Sequence, residues 1–93
     1  PTMYFGAIQI CGERVSTSEC KDFCEALDAN KIKMLSLREC GFSTKNFKKM
    51  MDSVGYCKSL LHLNLNLSGI HCQDRVDMLA AALNMNRSLT ALL

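Results

Sequence analysis

The sequence contains no apolar run that approaches the roughly 20 residues a membrane-spanning helix needs. Its first ten residues, PTMYFGAIQI, lack the basic leader and the long apolar core of a secretory signal peptide. Neither sign of charge is in large excess, because the numbers of basic and acidic residues nearly balance and the net charge is +2. So small an excess does not indicate binding to nucleic acid or to an anionic membrane. We therefore expect no nucleic acid and no membrane among the partners.

Patterns typical of metal sites and of catalysis are missing as well. No Cys-x-x-Cys pair occurs, and the adjacent His71 and Cys72 would point in different directions, which argues against a structural zinc site. There is no glycine-rich phosphate loop, and no Cys and His arrangement resembles the signature of a nucleophilic enzyme. Cys20 and Cys24 stand four residues apart, but both fall at positions expected in the core. The sequence therefore predicts no catalytic residue, no metal site and no cofactor.

Cysteine, by contrast, is plentiful, with six residues at positions 11, 20, 24, 40, 57 and 72. An even number of cysteines in a short chain can indicate a disulfide framework. Several of these cysteines, however, stand where the repeating pattern described next needs an apolar residue, and a free thiol behaves as a small hydrophobic group. Since no secretory signal accompanies them, we expect reduced, mostly buried thiols and a cytoplasmic or otherwise reducing compartment.

Leucine occupies every second position from 61 to 67, which is typical of a strand with one buried face. The same arrangement recurs in segments that begin at Phe5, Ile32, Leu60 and Leu89, so that the starts are 27, 28 and 29 residues apart. Each full segment has apolar residues at its first, fourth, sixth and eleventh places. They are Phe5, Ile8, Ile10 and Val15; Ile32, Leu35, Leu37 and Phe42; and Leu60, Leu63, Leu65 and Ile70.

A second pattern, with helical spacing, follows each strand segment. Apolar residues separated by three, one and three positions share one face of a helix. The three predicted faces are Cys20, Phe23, Cys24 and Leu27; Phe47, Met50, Met51 and Val54; and Val76, Leu79, Ala80 and Leu83. The residues predicted to cap the starts of the three helices are Ser16 or Ser18 (with Glu19) for the first, Ser43 or Thr44 for the second, and Asp74 for the third. The residues predicted to adopt a left-handed backbone conformation where helices end are Gly55, Asn84 and Asn86.

The alternation of strand and helix predicts a parallel sheet in which each strand is covered by the helix that follows it. Neighbouring strands are about 4.8 Å apart, whereas packed helices need about 10 Å. A stack of such units must therefore curve, with the strands on the inner side and the helices outside.

The stretches CKSLLHLNLNLSGI and AALNMNRSLTALL resemble consecutive repeat boundaries of the leucine-rich repeat family. They are similar to its ribonuclease-inhibitor-like subclass, whose repeats are about 28 residues long. The resemblance covers residues 5–93, although the ninth place, usually Asn or Cys, holds Glu13, Cys40 and Ser68. It implies an α/β leucine-rich-repeat solenoid with a curved parallel sheet on the concave side and helices on the convex side.

Under this interpretation residues 1–93 form one leucine-rich-repeat segment, of about three repeats and the start of a fourth. The repeats lie at about 5–31, 32–59, 60–88 and, in part, 89–93. No polar capping repeat is visible after Leu93, so we expect further repeats of the same chain on the C-terminal side.

Strand residues that point away from the core form the candidate partner-binding surface. An ordinary solvated sheet face is the alternative explanation of the same residues. An aliphatic residue just past a strand, such as Leu67, would be exposed to solvent unless a loop or a partner covers it. The candidates are Gln9, Met34, Ser36, Arg38, His62, Asn64, Asn66 and Leu67.

The resemblance implies a non-enzymatic module for protein–protein interaction or scaffolding, which presents the concave sheet to a protein partner. Two alternatives stay open. The chain could be a regulatory segment of a GTPase-activator-like protein, in which Arg38 would stabilise charge on a nucleotide held by the partner. It could also be an architectural component of a cytoskeletal or ciliary assembly.

Overall fold

A computed structural model describes residues 2–4, 6–66 and 72–92 of the chain. Within these ranges the strands are β1 (Thr2–Tyr4), β2 (Ala7–Cys11), β3 (Met34–Arg38), β4 (His62–Asn64) and β5 (Ala91–Leu92). The helices are α1 (Thr17–Asp28), α2 (Thr44–Tyr56) and α3 (Gln73–Met85). In the described part of the chain, no helix is both long enough and apolar enough to cross a membrane.

The strands form one sheet in the order β1-β2-β3-β4-β5. Strands β2 to β5 run parallel to one another, as the alternation of strands and helices predicts. Strand β1 pairs with β2 in the antiparallel direction, and the repeating pattern gives no sign of it because Thr2–Tyr4 precedes the first repeating segment. The described chain is therefore a mixed α/β structure with a four-stranded parallel sheet and three helices.

The core lies between the sheet and the helices. Alternate strand residues are buried on the helical side, and they pack with apolar residues of α1 and α2 into one continuous cluster. In the three full segments, the predicted strand places that lie in the described ranges are all buried, as are most predicted positions of the first two helices. Leu89, the first place of the fourth segment, is half-buried, and Phe5 and Ile70 lie outside the described residues. The buried members named by the pattern are Ile8, Ile10, Val15, Cys20, Phe23, Leu27, Ile32, Leu35, Leu37, Phe42, Phe47, Met50, Met51, Val54, Leu60, Leu63 and Leu65.

The predicted core face of α3 is wrong in part. Val76 is 42% exposed and Ala80 is also exposed, while Leu79 and Leu83 are half-buried. The buried residue of this helix is Ala82. Among the described elements, α3 packs mainly against α2. The residues of α3 that are buried are therefore those on the side that faces α2.

Gly55 lies at the contact between α2 and α3. It lies inside α2 and is buried, not at a left-handed helix exit as predicted. A Cβ atom at this position would lie 3.5 Å from the Cα atom of Ala82 and 3.5 Å from the Cβ atom of Met85. Both separations are ordinary van der Waals contacts, so an alanine would fit at this position without displacing α3. The glycine lowers the helix propensity of α2.

The first two helix starts agree with the sequence, whereas the third does not. Ser16 forms a capping box with Glu19, in which the Ser16 Oγ accepts from the Glu19 N–H and the Ser16 N–H donates to the Glu19 carboxylate, both at 3.1 Å. The Ser43 Oγ caps α2 by accepting from the Asn46 N–H at 3.1 Å. Asp74 lies in the first turn of α3, and Cys72 occupies the N-cap position without a side-chain hydrogen bond.

The left-handed backbone positions also differ from the prediction. Besides glycine, the described residues with positive φ are Asn30, at 57°, and Glu39, at 54°. Asn86 has a φ of −68°, so it does not end α3 in a left-handed conformation. Its role, described below, depends on its side chain.

Candidate binding surface

The open face of the sheet, meaning the face opposite the helices, carries side chains in ordered rows. The strand register places Ala7, Met34, His62 and Ala91 at one level, which we call the first row. Gln9, Ser36 and Asn64 form the second row, and Cys11 pairs with Arg38 at the next level. Since neighbouring strands are about 4.8 Å apart, the members of one row are within reach of a single bound segment.

Six of the eight predicted site residues belong to these strands. Gln9, Arg38 and His62 are exposed, whereas Met34, Ser36 and Asn64 are half-buried. Asn66 is exposed and follows β4, and its carbonyl accepts a hydrogen bond from the Glu39 N–H at 3.0 Å. Leu67 lies outside the described residues.

A depression of about 300 Å³ occupies the middle of the open face. Met34, His62 and Ala91 from the first row and all three members of the second row line it, together with Leu63. The small side chain of Ala91 leaves space next to His62. The depression therefore combines apolar side chains with amide and hydroxyl groups.

The second row keeps hydrogen-bonding capacity for a ligand. The Asn64 Oδ1 accepts from the Asn66 N–H at 2.9 Å, which fixes the side chain and leaves its amide nitrogen as a donor. Within the described residues, no hydrogen bond engages the side chains of Gln9, Ser36 or Arg38. Arg38 also places a positive charge at the end of β3.

Backbone and thiol contacts hold the Arg38 end of the face in place. The Gly12 N–H donates to the Arg38 carbonyl at 3.0 Å, so pairing continues past the end of β2. Beneath it, the Cys40 thiol is 3.3 Å from the carbonyl oxygens of both Ile10 and Arg38. Burial raises the pKa of Cys40, so the thiol remains protonated and can donate at neutral pH.

A network centred on Asn86 holds the opposite end of the strands. Asn86 is buried, and its Nδ2 donates to the carbonyls of Val54 at 2.6 Å and Cys57 at 3.1 Å. Its Oδ1 accepts from the N–H groups of Ser88 at 2.7 Å and Leu89 at 2.8 Å. This one side chain therefore joins the end of α2 to the segment that leads into β5.

Two serines continue that network from strand to strand. The Ser59 hydroxyl donates to the Ile32 carbonyl at 2.7 Å, and the Ser88 hydroxyl donates to the Leu60 carbonyl at 2.6 Å. The sequence interpretation missed this ladder. A Ser-Leu pair precedes both β4 and β5, and that recurrence is the signal that could have revealed it.

All six cysteine thiols are free in the structure. Cys20, Cys40 and Cys57 are buried and Cys24 is half-buried, which confirms the prediction of mostly buried thiols, whereas Cys11 and Cys72 are exposed. Burial raises the pKa of Cys20 to about 12. Among the described residues, no group of three or more His, Cys, Asp or Glu side chains is placed to hold a metal ion.

Comparison with known proteins bears on the fold described above. The chain is similar to leucine-rich repeat-containing protein 73 of Rattus norvegicus and of Homo sapiens, with 38% identity to each over 86 residues. This similarity relates the chain to the leucine-rich repeat proteins. The aligned residues are 92% of this chain and 27% of each relative, so the chain spans about a quarter of the length of the curated relatives it matches.

No family model matches the chain, and no solved structure matches it. The parallel sheet covered by three helices is compatible with a leucine-rich-repeat-like fold. The relationship and the fold therefore agree with each other.

Proposed function

We propose that this chain is a non-enzymatic module for protein–protein interaction or scaffolding that presents the open face of its sheet to a protein partner. One observation carries the proposal, namely the rows of exposed and half-buried side chains around a depression of about 300 Å³ on a parallel sheet. The relationship to leucine-rich repeat proteins supports the same class of function.

The mechanism is shape complementarity on a preorganised surface. Hydrogen bonds at both ends of the strands limit the movement of the backbone beneath the rows. Association therefore costs little ordering entropy, which favours binding to a broad, folded partner. The proposed contacts are Gln9, Met34, Ser36, Arg38, His62, Asn64 and Asn66, with Leu67 added from the sequence pattern.

The proposed architecture is a ribonuclease-inhibitor-like solenoid in which the open face is concave. Two features support this architecture. Parallel strands alternate with helices along the chain, and the buried thiol of Cys40 occupies the ninth place of its repeat. Val76 and Leu92 expose apolar surface on α3 and β5, at 42% and 50%. We propose that further repeats of the same chain cover this surface. We also propose a reducing, cytoplasmic compartment, which the free thiols support.

The test is affinity capture with the full-length protein as bait and identification of the partners by mass spectrometry. An open-face variant carries Gln9→Ala, Arg38→Ala and Asn64→Ala. A matched control carries Asp22→Ala, Lys45→Ala and Asp74→Ala, which change three exposed residues of the helices. We expect partners to be lost from the open-face variant alone. Equal capture by both variants, or equal loss from both, would refute the proposal.

A regulatory segment of a GTPase-activator-like protein is the second candidate, and Arg38 is the residue that favours it. Its guanidinium is exposed at the end of β3 without a hydrogen bond to the described residues. An arginine in that position can stabilise negative charge on a nucleotide bound to a partner. Loss of stimulated GTP hydrolysis in Arg38→Ala, with partner binding retained, would favour this candidate over the first.

An architectural role in a cytoskeletal or ciliary assembly is the third candidate. The helical side exposes Tyr56, at 67%, and Met85, at 48%, next to each other around Gly55. Large apolar side chains exposed together are typical of contact surfaces. Retained partners in the open-face variant, together with partners lost from a Tyr56→Ser variant, would favour this role.

A further inference from the structure

Three sulfur atoms meet between α1 and α2, on the helical side of the sheet and away from the proposed binding face. The Cys20 and Cys24 Sγ atoms are 4.0 Å apart, and the Cys24 Sγ is 3.7 Å from the Met50 Sδ. Cys20 and Met50 are almost fully buried, whereas Cys24 is half-buried. We call Cys20, Cys24 and Met50 the sulfur cluster.

Packing alone does not require thiols at these positions. Cys20 and Cys24 come five and nine residues after Val15, and the corresponding residues after Phe42 are Phe47 and Met51. Both of those are buried apolar side chains in α2. The same places in α1 could therefore be filled by larger hydrophobic residues, and the two thiols there leave three sulfur atoms next to one another.

Two of the sulfur–sulfur separations match what one metal ion would need. A first-row metal lies about 2.3 Å from a sulfur ligand, so three sulfurs arranged in a plane around it are about 4.0 Å apart. The separations from the Cys24 sulfur to the sulfurs of Cys20 and Met50, 4.0 Å and 3.7 Å, are close to that value. Thiolate and thioether donors select soft ions, and Cu(I) accepts three sulfur ligands without a fourth. We propose that the sulfur cluster binds one Cu(I) ion in trigonal geometry.

The cluster is accessible from one side. Cys24 lines a groove of about 330 Å³ between α1 and α2, which gives an ion a path to the buried sulfurs. Carboxylates at the groove attract a cation, and ammonium groups there offset the negative charge that two thiolates bring to one Cu(I). The charged residues of the groove are Lys21, Glu25, Asp28, Lys49 and Asp52.

Binding requires the thiols to lose their protons. Burial raises the pKa of both Cys20 and Cys24, while the nearby ammonium of Lys49 acts in the opposite direction on each. On binding, two S–H bonds break and the protons pass to solvent, two thiolate–copper bonds form, and Met50 donates a lone pair from its sulfur. The copper enters and stays as Cu(I), so no electron is transferred. The Cys20 thiol also gives up its 3.4 Å contact with the Asn46 carbonyl.

The test is a titration of the full-length protein with Cu(I), without oxygen and with a chromogenic Cu(I) chelator as competitor. We expect the sulfur cluster to take one equivalent. Cys24→Ser should abolish this binding, and Met50→Leu, which conserves volume, should weaken it while the two thiolates remain. A control with Cys11→Ser and Cys72→Ser together removes the two exposed thiols and should bind as the unchanged protein does.

X-ray absorption at the copper edge supplies a readout that does not depend on any variant. We expect three sulfur neighbours at about 2.3 Å from the copper. Circular dichroism of each variant separates loss of binding from loss of fold, and the spectrum of the unchanged protein decides the question if Cys24→Ser does not fold. Each of three results would overturn the proposal: the protein fails to compete with the chelator for Cu(I), the copper has oxygen or nitrogen neighbours, or the control variant loses as much Cu(I) binding as Cys24→Ser does.

Discussion

Truncation of Leu63 to alanine is the sharpest test of the strand register. Leu63 lies at the centre of β4, points into the core and is 1% exposed. The change removes three carbon atoms, worth roughly 2.4 kcal/mol at about 0.8 kcal/mol for each buried methylene. The cavity left behind adds to that cost, so we expect a loss of about 2 to 5 kcal/mol in the free energy of unfolding. The total free energy of unfolding of a chain of this length is only about 5 to 14 kcal/mol.

The matched control is the adjacent residue of the same strand. His62 is exposed on the open face, so His62→Ala should change the free energy of unfolding by less than about 0.5 kcal/mol. Denaturant titration followed by circular dichroism measures both variants, and for a domain of this size each kcal/mol lowers the melting temperature by about 4 to 8 °C. Similar losses from the two variants would mean that β4 does not have the assigned register, and the rows of the open face would be wrong with it.

Three further predictions concern single side chains and use the same unfolding measurement. Asn86→Ala removes the amide that donates to two carbonyls and should cost about 1 to 3 kcal/mol, so a neutral result would contradict the network. Ser16→Ala should cost about 1 kcal/mol by loss of the cap on α1, whereas Ser18→Ala should cost clearly less. Burial raises the pKa of Cys20 from 9.0 to about 12, so unfolding releases a proton above pH 9. Stability should therefore fall as the pH rises from 9 to 12, and less steeply in Cys20→Ala.

Much of the fold could be predicted because a buried strand face imposes a period of two residues on the sequence. Ile8, Leu35 and Leu63 occupy the same place in three segments, and the sheet pairs these residues directly. Register follows from that pattern, since a slip of one residue would expose every buried leucine. The same alternation predicted which residues face away from the core, and this is why six of the candidate site residues lie together on the strands.

The errors occur where structure depends on contacts that hydrophobic periodicity does not encode. In α3, Ala82 is buried at the contact with α2, next to Gly55, whereas Val76 is exposed although the spacing of apolar residues places it on the core face. Asn86 looked like a residue for a left-handed turn, but its amide serves as a hydrogen-bonding hub. Whether an asparagine acts through its backbone or its side chain depends on which carbonyls lie nearby, and the sequence alone does not place them.

The open face shows why the class of partner is easier to infer than the partner itself. Alternation determines that Gln9, Ser36 and Asn64 point outward, and the register puts them in one row. Amide and hydroxyl groups accept many geometries of hydrogen bond, so such a row is compatible with many protein surfaces. Arg38 is more selective, because its planar guanidinium favours a carboxylate or a phosphate. A partner that binds through this face should therefore depend on acidic groups near Arg38, and Arg38→Lys should weaken its binding even though the charge is kept.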